Sequence, residues 1–255
     1  MARELAERRG APCPRILGID EHFFSKKDGC AATFCDLRAH KVFDVVLRRT
    51  EALQDYLANL SGKDRVRIVC MDLASMYRAI VRKHLPKTKI VADRFHVIRL
   101  INLHLLACWR EIDPAGARHR GPLPLMRRHR HNLKPEQKTK LEAFEQFPVL
   151  REIYRFKQRL WHLLLKKHRT RKNCAHLANR FLRALQELRD AGLAQLVALR
   201  QTLTSWSVEI ATMWRFTRNN GITEGFHTKM EVLQRQAYGF RNFDNCRLRV
   251  KIMCS

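Results

Sequence analysis

The sequence predicts an α/β fold in which a mixed five-stranded sheet is interrupted by a large, basic, all-α insertion. Short β-branched or alternating segments fill residues 15–92, and long Leu/Ala/Arg-rich segments with helical periodicity replace them from Arg94 to about Met213. The third observation is charge: 50 Lys and Arg residues against 24 Asp and Glu residues give +26 over 255 residues. Such a balance is typical of proteins that bind a polyanion, with nucleic acid as the first candidate.

The first three predicted strands form a meander. They cover residues 15–19, 31–37 and 41–47, and the Asp28-Gly29 pair supplies turn chemistry between the first two. The chain then alternates helices with two further strands, which makes the sheet mixed. The predicted elements are a helix at 51–60 capped by Thr50, a strand at 66–71, a helix at 73–85 stopped by Pro86, and a strand at 89–92.

The helical block is predicted to contain long helices at 95–109, 150–167 and 174–203, with an irregular basic loop at 114–135. Two of its stretches, 118–134 and 157–172, contain no acidic residue. Exposed helices normally intersperse acids for i,i+4 pairing, so we expect phosphate contacts here, a solvated helix face being the alternative. The predicted DNA contacts are Arg118, Arg120, Arg127, Arg128, Arg130, Lys166, Lys167, Arg169, Arg171 and Lys172.

Several protein classes are disfavoured by what the sequence contains. The eight cysteines form no Cys-x-x-Cys pair and no Cys/His ladder, which argues against a zinc ribbon or a disulfide framework. The first residues hold no apolar signal-peptide run, and no stretch approaches the roughly 18–20 apolar residues of a membrane span. We therefore expect a cytoplasmic, nucleoid-associated protein with no membrane partner.

Acidic residues at two strand ends predict a metal site. Asp20 and Glu21 follow the first strand and point to opposite faces of the sheet, so only one of them can join a given site. Asp72 ends the fourth strand, at the edge where open α/β sheets gather their functional groups. Neighbouring carboxylates repel each other unless a divalent cation neutralises them, and Mg²⁺ prefers such hard oxygen ligands.

A third acid, Glu224, stands beside Gly221 at the start of a basic helix. If this helix crosses the sheet near the two aspartates, Glu224 completes a pair of metal positions about 3.5–4 Å apart, as two-metal phosphodiester chemistry requires. The alternative interpretation is that Asp72, Asp93 and Glu224 merely favour the starts of the helices that follow them.

Four segments resemble, in order, successive blocks of the ISL3 group of bacterial insertion-sequence transposases, which are DDE enzymes with a ribonuclease-H-like catalytic core. They are LGIDEHFFSKK (17–27), VCMDLASMYRAIV (69–81), IVADRFHVIR (90–99) and NNGITEGFHTKMEVLQRQAYGFRNFDNCRLRV (219–250). The resemblance implies that Asp20, Asp72 and Glu224 are the catalytic triad, holding two Mg²⁺ or Mn²⁺ ions. It also implies that Asp93 and His96 lie near the site.

The same resemblance implies a domain organisation. It comprises an N-terminal extension (1–14), the first part of the ribonuclease-H-like core (15–99), a basic α-helical insertion (100–215) and the last part of the core, with the Glu224 helix (216–255). In the last block, Lys229, Arg235 and Arg241 are further predicted DNA contacts.

The implied function is metal-dependent DNA strand cleavage and strand transfer of an insertion sequence. Its partners would be the transposon ends and a target duplex, bound by a homodimer or larger assembly. The chain departs from the group in two ways. It starts almost at the catalytic domain, so we expect the usual N-terminal end-recognition region to be lacking, and Glu231 stands where a lysine is expected. The alternatives are a truncated, non-catalytic DNA-binding remnant and a metal-dependent nuclease or resolvase.

Overall fold

A computed structural model describes residues 13–26, 28–115, 123–142, 148–167, 170–189, 192–216 and 221–254. The chain divides into two compact units, one made of residues 1–95 and 218–255 and the other of residues 96–217. The first is built on a sheet and the second on helices. Of the predicted DNA contacts, Arg118, Arg120 and Arg169 lie outside the described residues.

The described residues of the sheet unit form five strands and four α-helices, with a 3₁₀ turn at Lys63–Arg65. The strands are β1 (Ile16–Ser25), β2 (Gly29–Asp36), β3 (Lys41–Leu47), β4 (Ile68–Met71) and β5 (Lys89–Ala92). The described helices are α1 (Thr50–Ala58) and α2 (Ser75–His84) before the helical unit, and α10 (Gly221–Gln236) and α11 (Phe243–Met253) after it.

The strands form one mixed sheet in the order β3-β2-β1-β4-β5. β1, β2 and β3 pair antiparallel, and β4 joins both β1 and β5 in parallel. The predicted mixed five-stranded sheet combined with a large helical segment is therefore confirmed, and the strand order is consistent with a ribonuclease-H-like domain. β1 occupies the centre of the sheet, which places Asp20 between the antiparallel and the parallel halves.

The sequences of the parallel strands β4 and β5 are short apolar runs, because both faces of these strands are buried. Val69, Met71 and Val91 are almost wholly buried. β1 is longer than predicted, because its second half continues to pair with β2 as far as Ser25.

Two predicted helix starts were wrong in detail. Thr50 does not cap α1: Thr50 is the first helical residue, and its hydroxyl donates to Met76 Sδ at 3.7 Å. α2 begins at Ser75 with Ala74 in the capping position and no side-chain cap. The interpretation of Asp72 as the cap of this helix therefore does not hold.

A buried ion pair holds the last helix against the edge strand β3. Asp44 is almost wholly buried, and Arg247 Nε and Nη2 donate to its two carboxylate oxygens at 2.7 Å each. The hydrogen bonds to Asp44 raise the pKa of Arg247, and this effect outweighs burial, which lowers it. Together with the hydrogen bond from Val42 N to Cys254 O (2.8 Å), this ion pair fixes the end of the chain on the sheet.

The helical unit departs from the predicted pattern at two places. The predicted helix at 174–203 is two helices, with Gly192 in a left-handed conformation (φ 69°) between them. The described part of the predicted loop at 114–135 contains a helix and a 3₁₀ turn. The helices are α3 (Arg94–Ile112), α4 (Leu123–Arg127), α5 (Pro135–Glu142), α6 (Pro148–Leu165), α7 (Arg171–Arg189), α8 (Ala194–Ser205) and α9 (Ser207–Arg215), with the 3₁₀ turn at Arg130–Asn132.

Large apolar side chains form the core of the helical unit. Trp214 is fully buried, donates through Nε1 to Leu163 O at 3.0 Å and meets the Phe181 ring edge-on. All eight cysteines of the chain are free thiols. Within the described ranges, none of the helices combines the length and apolarity needed to cross a membrane.

Candidate active site

Three aspartates continue three neighbouring parallel strands at one edge of the sheet. The last paired row of β1, β4 and β5 is followed directly by Asp20, Asp72 and Asp93. Because residues in one row across a sheet point to the same face, this register brings carboxylates from distant parts of the sequence together. The predicted proximity of Asp20 and Asp72 follows from this strand order.

Asp20, Asp72 and His96 form a tight group of potential ligands. One carboxylate oxygen of each aspartate and one imidazole nitrogen of His96 all lie within 4.8 Å of one another. Asp20 is buried, whereas Asp72 and His96 are half-buried. Asp20 Oδ1 accepts a hydrogen bond from the Glu21 amide at 2.8 Å, which fixes the orientation of that carboxylate.

His96 reaches this group because α3 begins at Arg94, immediately after β5, and places His96 in its first turn. Asp93, at the junction, is buried but does not belong to the group of close ligand atoms found among the described residues. Burial lowers the pKa of Arg94, and the neighbouring Asp93 carboxylate opposes that change. The Asp93 carboxylate therefore interacts electrostatically with the buried guanidinium of Arg94.

Glu21 lies on the other face of the sheet, as strand alternation predicts. Its Oε1 pairs with Arg48 Nε at 2.7 Å. It also lies beside Tyr77 of α2, whose pKa is raised by burial and by the Glu21 charge. The α2 face of the sheet thus holds Glu21, and the opposite face holds Asp20.

Cys70, two residues before Asp72, is fully buried next to the acidic group. Burial raises the pKa of its thiol well above the ordinary value, and the carboxylates of Asp93, Asp72 and Asp20 raise it further. The thiol is therefore protonated in the metal-free protein.

Helix α10 crosses the sheet on the face that carries Asp20. Thr223 hydrogen-bonds to the Cys35 thiol, whose pKa burial raises to about 12. One turn later, His227 Nε2 and Thr33 Oγ1 are hydrogen-bonded at 3.2 Å. Thr33 is the residue paired with Asp20 across β1 and β2, so α10 passes directly beside that carboxylate.

The rotation of α10 determines which way Glu224 faces. Successive residues are rotated by 100° around the helix axis. Measured from Thr223, His227 is rotated by about 40°, and Glu231 and Glu224 are rotated by about 80° and 100° in the same direction. His227 meets His22 of β1 in this direction, with ring centroids 5.0 Å apart. Glu224 therefore projects toward the β1 side of the helix.

Two charged residues of α10 support this orientation. Burial lowers the pKa of His22 in β1, and the negative charge of Glu231 partly opposes this effect. Lys229, at about −120°, lies instead near Cys254, which follows α11 on the β3 side. Glu224 itself is exposed in the first turn of α10 and is not a member of the close ligand group.

Most of the predicted DNA contacts that lie in the described residues are exposed. Arg130 and Lys166 are half-buried, and Arg235 Nη2 donates to Glu231 Oε2 at 3.3 Å. The exposed residues are Arg127, Arg128, Lys167, Arg171, Lys172, Lys229, Arg235 and Arg241. After α10 the chain turns through Tyr238 (φ 51°) and Gly239 (φ 87°), and the Tyr238 side chain is fully exposed.

His22 and His227 were not predicted as site residues. Both lie on the Asp20 face of the sheet, His22 because it follows Asp20 by two strand positions. The same spacing argument that separated Asp20 from Glu21 also selects His22. His227 is four residues after Thr223 and so shares its helical face, but only the structure shows that this face meets β2.

Comparisons with known proteins relate this chain to transposases. The profile of the ISL3 group of DDE transposases, described as "Transposase", matches residues 17–250. The chain is also similar to the transposase for insertion sequence element IS1001 from Bordetella parapertussis, with 24% identity over 197 residues, or 73% of this chain. It spans about half (47%) of the length of that relative. No solved structure matches the chain significantly.

The profile match extends from the start of β1 into α11, so it includes every element that carries the acidic residues. The chain therefore belongs to the ISL3 family of transposases.

Proposed function

We propose that this chain catalyses metal-dependent DNA strand cleavage and strand transfer, with Asp20, Asp72 and Glu224 as its ligands for two Mg²⁺ or Mn²⁺ ions. The observation that carries the proposal is the convergence of Asp20, Asp72 and His96 at one edge of the sheet. Family membership supplies the reaction class, because transposases act on DNA.

The residues present fit a divalent cation. Two carboxylates near each other, one of them buried, repel at neutral pH, and a bound cation offsets that repulsion. Their hard oxygens suit Mg²⁺ or Mn²⁺, and the His96 nitrogen lies close enough to share the ion or to orient a carboxylate. When bound, two such ions would activate the attacking oxygen and stabilise charge at the scissile phosphate.

Glu224 would supply the third carboxylate from above the sheet. Thr223 and His227 fix α10 on β2, and the rotation of the helix turns Glu224 toward β1. From that side, the Glu224 carboxylate would complete the ligand set of an ion held by Asp20.

The cleaved and joined DNA would be bound through its phosphates. The proposed contacts are Arg127, Arg128, Arg130, Lys166, Lys167, Arg171 and Lys172 in the helical unit, and Lys229, Arg235 and Arg241 in the sheet unit. Asp93 and His96 would support the acidic site. A homodimer or larger assembly on the transposon ends belongs to the same proposal.

Replacing Glu224 with glutamine is expected to lower cleavage at least about a hundredfold, or roughly 3 kcal/mol of transition-state stabilisation, because a metal ligand is lost. The substrate is a supercoiled plasmid carrying the gene with its genomic flanks, incubated with Mg²⁺ or Mn²⁺. Nicked, linear and joined products are separated on gels.

Glu231→Gln is the matched control, because it makes the same change seven residues later on the same side of α10. We expect this variant to cleave within a few-fold of wild type. Equal cleavage by the Glu224 variant and wild type would refute the proposed ligand. Wild-type binding without cleavage would indicate a DNA-binding remnant, and cleavage without joining would indicate a nuclease.

A further inference from the structure

A buried lysine holds the main chain of a basic segment in the helical unit. Lys157 of α6 is only 1% exposed, although it belongs to the acid-free stretch predicted to contact phosphates. Its Nζ donates to Met126 O at 2.5 Å and to Arg128 O at 3.1 Å, and it lies 4.4 Å from the centre of the Trp161 ring. Lys157 is therefore committed to protein carbonyls and is unavailable to DNA.

Gln158, the next residue of α6, holds the same segment through both atoms of its amide. Its Nε2 donates to Arg128 O at 3.2 Å, and its Oε1 accepts from the Arg130 amide at 3.0 Å. The His129 ring meets Trp161 edge-on at 5.4 Å. Side chains of one rigid helix thus fix the backbone from Met126 to Arg130.

This anchoring leaves the segment's cationic side chains directed outward. Arg127, Arg128 and His131 are exposed, and His129 and Arg130 are half-buried. Among the described residues, no carboxylate lies within ion-pair distance of Arg127 or Arg128, whereas Arg130 Nη2 lies 3.6 Å from Glu142 Oε1. A fixed backbone brings no advantage to a basic loop that only contacts water. It increases the affinity of a phosphate-binding surface, because the entropy cost of ordering the segment is met during folding and not during binding.

We infer that residues 126–131 form a preassembled surface for the phosphate backbone of duplex DNA, with Arg127 and Arg128 as the contacting groups and Lys157 as their positioning residue. The inference rests on the proposed function in taking DNA as the partner. The new element is that this surface is already formed in the folded helical unit before DNA binds. Gln158 shares the positioning role.

The protonation state of Lys157 does not decide whether the segment is held. Burial lowers the pKa of Lys157 to about 7, so both forms are present at neutral pH. An uncharged amine still has two N–H donors, which equals its two carbonyl acceptors. Burial lowers the pKa of His129, and the nearby charges of His162, Lys157 and His131 lower it further. The arginines of the segment therefore supply its permanent charge.

The test measures the affinity of the purified full chain for a fluorescent 30-base-pair duplex of random sequence across a series of salt concentrations. Each phosphate contact contributes about 0.9 to the slope of log K against log salt. The double variant Arg127→Gln/Arg128→Gln is expected to lower that slope by about 2. Lys157→Met removes no exposed charge, yet is expected to lower the slope by about 1 or more because the arginines lose their fixed position.

Matched controls separate this surface from general charge loss and from misfolding. Lys83→Gln/Lys87→Gln removes two exposed charges from the sheet unit and should leave the slope within about 0.5 of wild type. Arg127→Lys/Arg128→Lys keeps the charge and should keep most of the slope. Thermal unfolding is recorded for every variant, and the glutamine pair tests the surface without touching the core.

An unchanged slope in Arg127→Gln/Arg128→Gln would overturn the proposed surface. A lowered slope there with an unchanged slope in a folded Lys157→Met protein would overturn the positioning role. Neither result depends on strand cleavage. If wild type cleaves DNA while the arginine variant keeps its slope, only this inference fails. If the slope falls but the acidic site proves dispensable for cleavage, only the proposed function fails.

Discussion

Replacing Asp20 with asparagine is expected to reduce DNA strand cleavage at least about a thousandfold, or about 4 kcal/mol in the barrier, because the buried carboxylate of the acidic group is lost. The same change should make the metal-free protein slightly more stable. It removes one of two neighbouring negative charges, and the asparagine oxygen can still accept the hydrogen bond from the Glu21 amide.

Plasmid cleavage in Mn²⁺ and thermal unfolding in EDTA test the two expectations together. An increase of about 1 kcal/mol corresponds to a rise in Tm of roughly 2–4 °C for a chain of this size. Glu21→Gln is the control, since Glu21 lies on the opposite face of the sheet and pairs with Arg48. An Asp20→Asn protein that cleaves normally, or one that loses activity only because it unfolds, would contradict the assigned role.

Replacing Lys157 with methionine is expected to change how stability depends on pH. In the folded protein burial lowers the pKa of Lys157 from 10.5 to about 7, so between these values the unfolded chain binds more protons than the folded one. The lysine contribution to the free energy of unfolding therefore rises with pH across this window, by up to about 1.4 kcal/mol per pH unit. Below pH 7 its desolvation penalty is fully present.

Urea unfolding of wild type and Lys157→Met between pH 6 and pH 10 measures this contribution, because other groups cancel in the difference. We expect wild type to gain about 4 kcal/mol on the variant from pH 7 to pH 10. Lys138→Met, on α5 and only half-buried, is the matched control for replacing a lysine with methionine in the same unit. A difference that is flat with pH would show that Lys157 stays charged in the folded protein.

The placement of Asp20 and Asp72 was predictable from the sequence because two simple rules act there. Alternation along β1 separates Asp20 from Glu21, and a parallel strand ending in Asp72 brings that acid to the same sheet edge once β1 and β4 are neighbours. The full length of β1 was not predicted, because it is set by pairing with β2 as far as Ser25.

The burial of Lys157 could have been predicted from the helical periodicity of the sequence. Ile153, Lys157, Leu160 and Leu164 follow helical spacing, so the lysine occupies a position in the buried stripe of α6. Charge counting included Lys157 in an acid-free stretch expected to contact phosphates, whereas the helical periodicity places its side chain in the core. Its carbonyl partners come from about thirty residues earlier in the chain, and no local pattern identifies them.

Glu224 marks the limit of what sequence could predict about the site. Its position at the start of a helix followed from the sequence, and the structure confirms that position. The direction in which the side chain points depends on contacts of Thr223 with Cys35 and of His227 with Thr33, which join residues nearly two hundred positions apart. Such contacts arise only from tertiary packing.

The central claim is that Asp20, Asp72 and Glu224 hold a shared pair of divalent cations. The most direct measurement is a crystal structure of the chain with a DNA duplex and Mn²⁺, with data collected at the manganese absorption edge. The account predicts two anomalous peaks about 3.5–4 Å apart, each with a carboxylate oxygen of this group at a bonding distance. Anomalous density that lies away from Asp20 and Asp72, or none at millimolar Mn²⁺, would contradict it.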